Sequence, residues 1–328
     1  FLLIFLPYTV FHEAISWMIQ GVLWISRQSY GMLTIGHVPF LWVLLFYFMT
    51  GLWIWKKNGQ NRHIRISLAY VIMIILIWIP MARRKSLVFL DVGQGDCFVA
   101  DTKSGAIIFD GGSSSEDQVG RYRILPYMKY LGYQKIQIAV ISHMDIDHYS
   151  GIKELLEMGK IKYLGLPEIP KDATMKKIIG IAKKRGTTIF YLSRGRQITT
   201  KDGSLKVLHP QKNSQMEKNA ASLVMQGKIL GYRVLLTGDV EKEGEEELLS
   251  EELERADILK AAHHGSKNST SNEFLQKVQP KQTVISCGKQ NRYGHPHLET
   301  IHRLQTYHTK IYRTDRSGAI IFFKRRDG

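Results

Sequence analysis

The chain has 328 residues, enough to bury the core of one large domain or two ordinary ones. Lys and Arg number 45 against 29 Asp and Glu, a formal net charge of +16 that argues against an acidic buffering or calcium-storage protein and favours anionic partners, nucleic acid or phospholipid. Only two cysteines occur, Cys97 and Cys287, which excludes a disulfide-stapled miniprotein and a CxxC zinc module; both sit in apolar strand-like runs, where buried free thiols are expected.

Residues 1–85 read as a membrane region. The chain opens on Phe1, so further sequence upstream is expected, and residues 1–11 are apolar. Residues 12–36 are mixed, with Trp17, Leu23 and Trp24 on loosely helical spacing, as in an interfacial helix or part of a span. Segment 38–55 has eighteen residues without a charge and segment 66–82 has seventeen. Both are long enough to cross a hydrocarbon core of about 30 Å with snorkelling flanks. Trp53, Trp55 and Trp78 lie near the span ends, where aromatic belts form. Lys56, Lys57, Arg62 and Arg65 in the loop outweigh Arg83, Arg84 and Lys85 beyond it by one charge. That bias favours a cytoplasmic loop, and hence an extracytoplasmic position for everything after residue 86.

From residue 86 strands come first and then alternate with helices. Strands are expected at 87–90, 97–100, 106–109, 136–141, 233–236, 258–261, 283–286 and 319–323. The run 136–141 is almost continuously apolar, as in a strand buried on both faces. Helices are expected at 122–131, 151–158, 175–184, 242–252, 272–278 and 298–307, the glutamate-rich 241–252 being an exposed helix face rather than a metal site. Such an order predicts an α/β protein of the αββα sandwich class over 86–328, two sheets with helices outside.

Chemistry-bearing side chains gather at strand ends. Ser142-His143-Met144-Asp145-Ile146-Asp147-His148 places four potential ligands in six residues directly after the buried strand. Imidazole and carboxylate together suit zinc, manganese or iron, and a loop at a strand end can aim several ligands at one point. Leu235-Leu236-Thr237-Gly238-Asp239 and Lys260-Ala261-Ala262-His263-His264-Gly265-Ser266 repeat the arrangement, and Asp110 in Phe109-Asp110-Gly111-Gly112 makes a fourth ligand-bearing strand end.

The order Asp-Gly-Gly, His-x-Asp-x-Asp-His, Thr-Gly-Asp and His-His-Gly-Ser resembles the metallo-β-lactamase fold superfamily. With Phe89-Leu90-Asp91-Val92-Gly93-Gln94-Gly95-Asp96 and Tyr293-Gly294-His295-Pro296-His297, residues 86–328 resemble the C-terminal domain of the ComEC competence family, inner-membrane DNA-uptake channels of transformable bacteria. The resemblance implies a multi-pass inner-membrane protein whose metal domain lies outside the cytoplasm and degrades one DNA strand while the other is transported. It implies metal ligands at His143, Asp145, Asp147, His148, Asp239 and His263, and catalytic roles for Asp147, His264 and His295. Asp239 would bridge two ions, Asp147 would orient the attacking water, and His264 or His295 would hold the scissile phosphate or protonate the leaving oxygen. Ser266, Asn219 and His297 are candidate substrate contacts; a helix cap or helix-entry loop explains Ser266 and His297 equally well.

Two departures bear on the cofactor. Asp145 stands where the superfamily usually has histidine, and Asn219 stands nearest the place of another, His209 being the only substitute upstream. The expected cofactor is therefore one or two divalent ions, zinc or manganese, with magnesium a further option in so oxygen-rich a set. Residues 86–328 carry +9 of the net charge, in stretches such as Lys183-Lys184-Arg185 and Lys324-Arg325-Arg326, so the expected partner is DNA, single-stranded or duplex, bound without sequence preference. Membrane lipid, receptor and helicase proteins of the uptake machinery, and a second copy of the chain are the other partners the resemblance admits. The rivals are another hydrolase of the fold, of β-lactamase or lactonase type, and a catalytically inactive domain that only guides DNA.

Overall fold

The computed structural model describes residues 8–27, 34, 36–55, 67–68, 71, 84–216, 219–251 and 253–325. They fall into two compact units, 1–79 and 80–328, against the border of 85 read from the sequence.

The first unit contains α1 (Tyr8–Arg27) and α2 (Phe40–Trp55). Helix α1 covers residues 12–27 of the expected mixed segment and exposes Trp17 and Trp24. Helix α2 carries no charge and exposes Phe40, Leu41, Tyr47 and Phe48; at 1.5 Å per residue its sixteen residues cover about 24 Å. Among the described residues no helix is long and apolar enough to cross a membrane. The span expected at 66–82 lies outside the described residues, apart from 67, 68 and 71.

The second unit holds two seven-stranded sheets. The first is built from β1 (Ser86–Phe89), β2 (Phe98–Thr102), β3 (Gly105–Phe109), β4 (Ile136–Val140), β5 (Ile161–Pro167), β6 (Thr188–Leu192) and β14 (Ile320–Phe323), in the spatial order β14-β1-β2-β3-β4-β5-β6. The second contains β7 (Gln197–Thr200), β8 (Gly203–His209), β9 (Val224–Ile229), β10 (Tyr232–Leu236), β11 (Ile258–Lys260), β12 (Gln282–Ile285) and β13 (Lys310–Arg313), ordered β13-β12-β11-β10-β9-β8-β7. In each sheet one half is parallel, β3 to β6 and β10 to β13, and the other antiparallel.

The alternation of strand side chains explains the layers. Leu87, Phe89, Phe98, Ala100, Ile107 and Phe109 meet Val207, Met225, Val234, Leu236, Ile258 and Val284 in the core between the sheets. Their neighbours Val88, Val99 and Ile108 turn the other way. They pack under α3 (Leu125–Tyr130), α4 (Ile146–Glu157) and α5 (Ala173–Lys184) with Met128, Ile152, Leu156 and Ile178. Leu235, Leu259 and Ile285 do the same beneath α6 (Lys242–Leu249), α7 (Asn272–Val278) and α8 (Leu298–Thr306) with Leu248, Phe274 and Leu304. This is the αββα sandwich expected from the element order.

Local signals set the helix ends. Asp172 and Ser271 cap α5 and α7, accepting hydrogen bonds from Met175 N and Phe274 N at 2.6 and 3.2 Å. The helix expected at 122–131 is shorter, α3 starting at Leu125 with Pro126 in its first turn after a π-helical turn over Gly120–Ile124. Helix α4 starts five residues earlier than expected, at Ile146, so Asp147 and His148 lie in its first turn.

Candidate metal centre

The carboxyl ends of the central strands converge on one cluster. β3 delivers Asp110, β4 delivers His143 and the loop to α4, β10 delivers Asp239, and β11 delivers His263 and His264. Close backbone approach locks the loops together. Asp96 N donates to Asp147 O at 3.0 Å, Gly112 N to Asp96 O at 3.1 Å, and Gly111 N to His148 O at 2.8 Å. A Cβ at Gly112 would stand 2.6 Å from Asp147 C, His148 N and Ile146 O, so only glycine permits this approach. Gly112→Ala is expected to displace the ligand loop and weaken metal retention by about ten- to a hundredfold, as loss of a ligand's support does. Competition with a chelator measures that change.

Asp239 Oδ2 is the hub. His148 Nε2 lies 3.2 Å away, His264 Nε2 3.3 Å and His263 Nε2 3.8 Å; Asp147 Oδ2 is 3.3 Å from His264 Nε2. Asp96, His148, Asp239 and His264 each place a ligand atom within 4.8 Å of the others, and all four are buried. The Nε2 atoms of His143, His148 and His264 are buried with no hydrogen-bond partner. Buried polar atoms are otherwise satisfied in proteins, so inward-facing imidazole nitrogens among carboxylates fit a divalent cation.

Behind these donors stands a layer that holds them. His148 Nδ1 is 3.0 Å from Asp110 Oδ2, and Asp110 Oδ1 accepts from Ser142 N at 2.7 Å. His264 Nδ1 lies 2.9 Å from Ser286 O. Such contacts fix which nitrogen each ring offers. The Asp96 carboxylate is 3.7 Å from Nδ1 of both His148 and His264, and it pairs with the buried ammonium of Lys260. Lys260 Nζ also donates to Gly238 O at 2.8 Å and sits 3.3 Å from Asp239 Oδ1.

The structure distributes the expected site residues unevenly. It brings Asp147, His148, Asp239 and His264 together. His143 is buried beside His148, its ring centroid 4.2 Å away, and Asp145 Oδ2 lies 3.8 Å from His143 Nε2. The two late histidines stand differently from the roles given above. His264, read as catalytic, is 1 % exposed in its side chain and faces Asp147 and Asp239, whereas His263, read as a ligand, is 24 % exposed with Nδ1 2.9 Å from Glu241 Oε1. His295 stacks near both, 5.4 Å from the His263 ring and 6.1 Å from that of His264. Ser266 Oγ accepts from Asn268 N and His297 Nδ1 from Lys267 N, both closing the turn before α7 and α8. Asn219 is 3.4 Å from Glu241 Oε1, and His209 ends β8 with Nδ1 2.9 Å from Ser222 O. Asp110 supports His148 from behind rather than facing Asp239. Asp96 and Lys260 carry no role in the sequence reading; a lysine closing the apolar strand Ile258-Leu259-Lys260 was the available signal, because lysine is almost never fully buried unless paired.

The carboxylates govern the protonation of the histidines. Burial alone would lower His264, but Asp239, Asp96 and Asp147 outweigh it and raise the imidazole to about 10. His148 is raised well above its ordinary value in the same way, against burial, by Asp239 and Asp110. Burial would raise Asp147; the neighbouring imidazoles of His264 and His148 bring it down to about 2 instead. Burial, with the adjacent positive charge of His148, pushes His143 down, so it offers a neutral ring. A metal must therefore displace protons from His148 and His264. Apparent metal affinity is expected to rise with pH, by about tenfold per pH unit for the His264 proton, and to level off above about 10. Calorimetric titration at several pH values checks this. Without metal the same His264 proton stabilises the fold below the ordinary histidine value, and that contribution is lost as pH rises through about 10.

Comparison with known proteins matches the metallo-beta-lactamase superfamily over residues 90–289. ComE operon protein 3 of Bacillus subtilis (strain 168) is 34% identical over 294 residues, 83% of this chain and 38% of that protein. Competence protein ComA of Neisseria gonorrhoeae is 31% identical over 245 residues, 73% of this chain and 32% of that one. The chain thus spans about a third of the length of these relatives. The metallo-beta-lactamase fold protein YhfI from Bacillus subtilis superposes with a TM-score of 0.51 at 13% identity, covering 72% of this chain and 99% of YhfI, a likeness of fold alone.

Proposed function

The chain belongs to the metallo-beta-lactamase superfamily, its 86–328 domain being ComEC-like; on that premise we propose that the domain hydrolyses DNA phosphodiesters for a membrane-borne DNA-uptake protein, degrading the strand that is not transported. The observation that carries the proposal is the pair of buried, unpartnered imidazole Nε2 atoms of His148 and His264 at Asp239 Oδ2. Asp147, His148, Asp239 and His264 would hold a divalent ion, manganese or zinc. Such an ion supplies charge neutralisation on phosphate oxygens and a nucleophile from water at neutral pH.

The chain's own groups do the rest. The Asp147 carboxylate, kept ionised, orients the attacking water by accepting its proton in a hydrogen bond. His295 is lowered to about 4 by burial and by the neighbouring imidazoles of His264, His263 and His297, so it is neutral at physiological pH and donates one N–H to a phosphate oxygen. Arg292 is exposed and close enough to Asp147 for their charges to interact, which puts a guanidinium where the nucleic-acid backbone enters. Tyr293, exposed and stacked on His295 at 5.7 Å, adds an aromatic surface for bases. The uncharged, outward-facing apolar side chains of α2 anchor the preceding segment in the inner membrane, with the metal domain on its outer side.

Incubating the protein with duplex DNA labelled on both strands, and separately with nitrocefin, tests the substrate class. Cleavage of DNA in manganese with no nitrocefin turnover is expected. Nitrocefin hydrolysis without DNA cleavage favours the β-lactamase-type rival. The position of Asn219 against Glu241 favours a second reading, a metal-poor domain that guides DNA; protein that binds DNA, leaves it intact and retains no metal at micromolar supply supports it.

A further inference from the structure

The parallel strands of both sheets point their carboxyl ends at the metal ligands, so their amino ends meet on the opposite face of the sandwich. Lysine recurs at that end. Lys135 and Lys160 directly precede β4 and β5, Lys281 precedes β12, and Lys310 opens β13. The hairpin turns reach the same face with Lys103 between β2 and β3 and Lys201 between β7 and β8. Five-residue strands such as β4 and β10 hold this face about 17 Å from the metal ligands.

The carboxylates Asp101, Asp202 and Asp257 on this face are each already matched. Asp101 Oδ1 pairs with Lys85 Nζ at 2.8 Å and Asp202 Oδ1 with Lys324 Nζ at 3.1 Å. Asp257 meets three cations at once, Lys281 at 3.0 Å, Arg325 at 3.5 Å and Arg233 at 3.8 Å. Glu254 and Arg255, both exposed just before it, cancel. Among the described residues Arg84, Lys103, Lys201, Lys228 and Lys310 are exposed here and make no ion pair, so the face is strongly positive. Three of its cations lie over aromatic rings: Arg84 over Phe323 at 5.2 Å, Arg325 over Tyr232 at 4.2 Å and Lys310 over Tyr312 at 5.1 Å. Cations on long apolar stems beside aromatic rings suit a membrane–water interface, where stem and ring sit below the charge.

The chain also enters the domain at this face. Arg84 and Lys85 stand between the uncharged segment 66–82 and β1, and Lys324 N donates to Lys85 O at 2.7 Å, so the closing strand brings Lys324 and Arg325 to the point of entry. We infer that this basic face rests on anionic phospholipid and holds the metal centre away from the bilayer, open to DNA. The inference rests on the membrane reading of the preceding segment and adds the orientation of the domain and the surface that sets it. Lys324 and Arg325, which in the sequence favoured DNA, serve lipid instead. A nucleic-acid phosphate bound beside them stands too far from the metal ligands to be cleaved, and it would compete with lipid tied to the same point of entry. Contacts to the scissile strand are left to Arg292 and Tyr293 at the metal end.

The test reads orientation rather than activity. Cys97 and Cys287 are buried, so a fluorophore can be placed singly by Gln279→Cys, exposed beside Lys281 on the basic face, or by Leu298→Cys, 71 % exposed at the metal end. The full chain is reconstituted in vesicles of phosphatidylcholine, with or without phosphatidylglycerol, each containing a lipid with a nitroxide on its headgroup. With phosphatidylglycerol the label at 279 is expected to be quenched and the label at 298 to stay bright. Salt at about 1 M, which shortens the screening length to about 3 Å, releases the quenching. Lys201→Gln, Lys228→Gln and Lys310→Gln together lower the docking constant by about a hundredfold, about fivefold per cation. Thermal unfolding confirms that this variant folds, and the salt arm needs no substitution of the basic face. Equal quenching at the two positions, or quenching indifferent to phosphatidylglycerol, overturns the inference. Loss of DNA binding by the triple variant with its quenching intact also overturns it and gives the face to nucleic acid. A chain that floats with neither kind of vesicle overturns it together with the membrane reading. DNA cleavage is not read in this experiment, so the hydrolytic reading stands or falls separately.

Discussion

Asp239→Ala is expected to empty the centre and abolish cleavage. Its Oδ2 is the atom on which His148, His263 and His264 converge, and its Oδ1 is held by Lys260. Removing the carboxylate takes away the shared ligand and leaves Lys260 with Asp96 and Gly238 O. The rate on DNA should fall on the order of 10³-fold or more, since loss of the ion forfeits several kcal/mol of charge stabilisation. Bound metal should fall to background in the same sample. Asp147→Ala gives the contrasting pattern: a comparable loss of rate, with His148, Asp239 and His264 still present to retain some metal. Parallel measurement of metal content and cleavage separates the two. Equal metal retention in wild type and Asp239→Ala would contradict the assignment of the hub.

The second large effect is on stability. Lys260 is 4 % exposed and its ammonium meets Asp96, Asp239 and Gly238 O below the metal ligands. Lys260→Met keeps the bulk of the side chain and strands the buried Asp96 carboxylate, whereas Asp239 keeps the imidazoles of His148 and His264. Breaking a buried ion pair by removing one partner costs about 3–5 kcal/mol. For a unit of this size that corresponds to a fall of about 10 °C in the melting temperature of the metal-free chain. Adding Asp96→Asn removes the stranded charge and should recover much of the loss, because contacting residues are coupled. Calorimetry of the two single variants and the double variant closes the cycle. Additive losses would show that Asp96 and Lys260 do not act as a pair.

The sandwich was legible where hydrophobic pattern and turn residues agree. Strand β4, apolar but for Gln137 and followed by Ile-Ser-His, and the segments ending in Asp110, Asp239 and His263 all announce a strand delivering polar groups. Strands β5–β7, β9 and β13 were not expected, and of β8 only its end at His209 was. β5 carries Gly165 and Pro167, β8 and β9 carry Lys206, Gln226, Gly227 and Lys228, and β13 is an edge strand with Lys310 and Arg313 at its ends. Their burial comes from the opposite sheet and from neighbouring strands, which a local window does not contain. The start of α4 was missed because the ligand motif occupies its first turn, where polar residues read as loop.

The site divides along the same line. The ligand loop was legible because four donors in six residues have a chemical reason to be there. The division of labour between His263 and His264 was not, since it depends on two left-handed residues that no spacing rule implies. Nor was the pairing of Asp96 with Lys260, more than 160 positions apart and joined only by the approach of β1's following turn to β11. Glu241 was read as part of an exposed helix face; it precedes α6 and instead touches His263 and Asn219.

The most direct test of the central claim is a titration of the metal-free full chain with manganese while cleavage of labelled DNA is followed. The account predicts no cleavage in chelator, activity rising in step with bound metal, and none at any metal concentration for Asp239→Ala. Undiminished cleavage by the chelated protein, or a metal-replete wild type that leaves DNA intact, would contradict it.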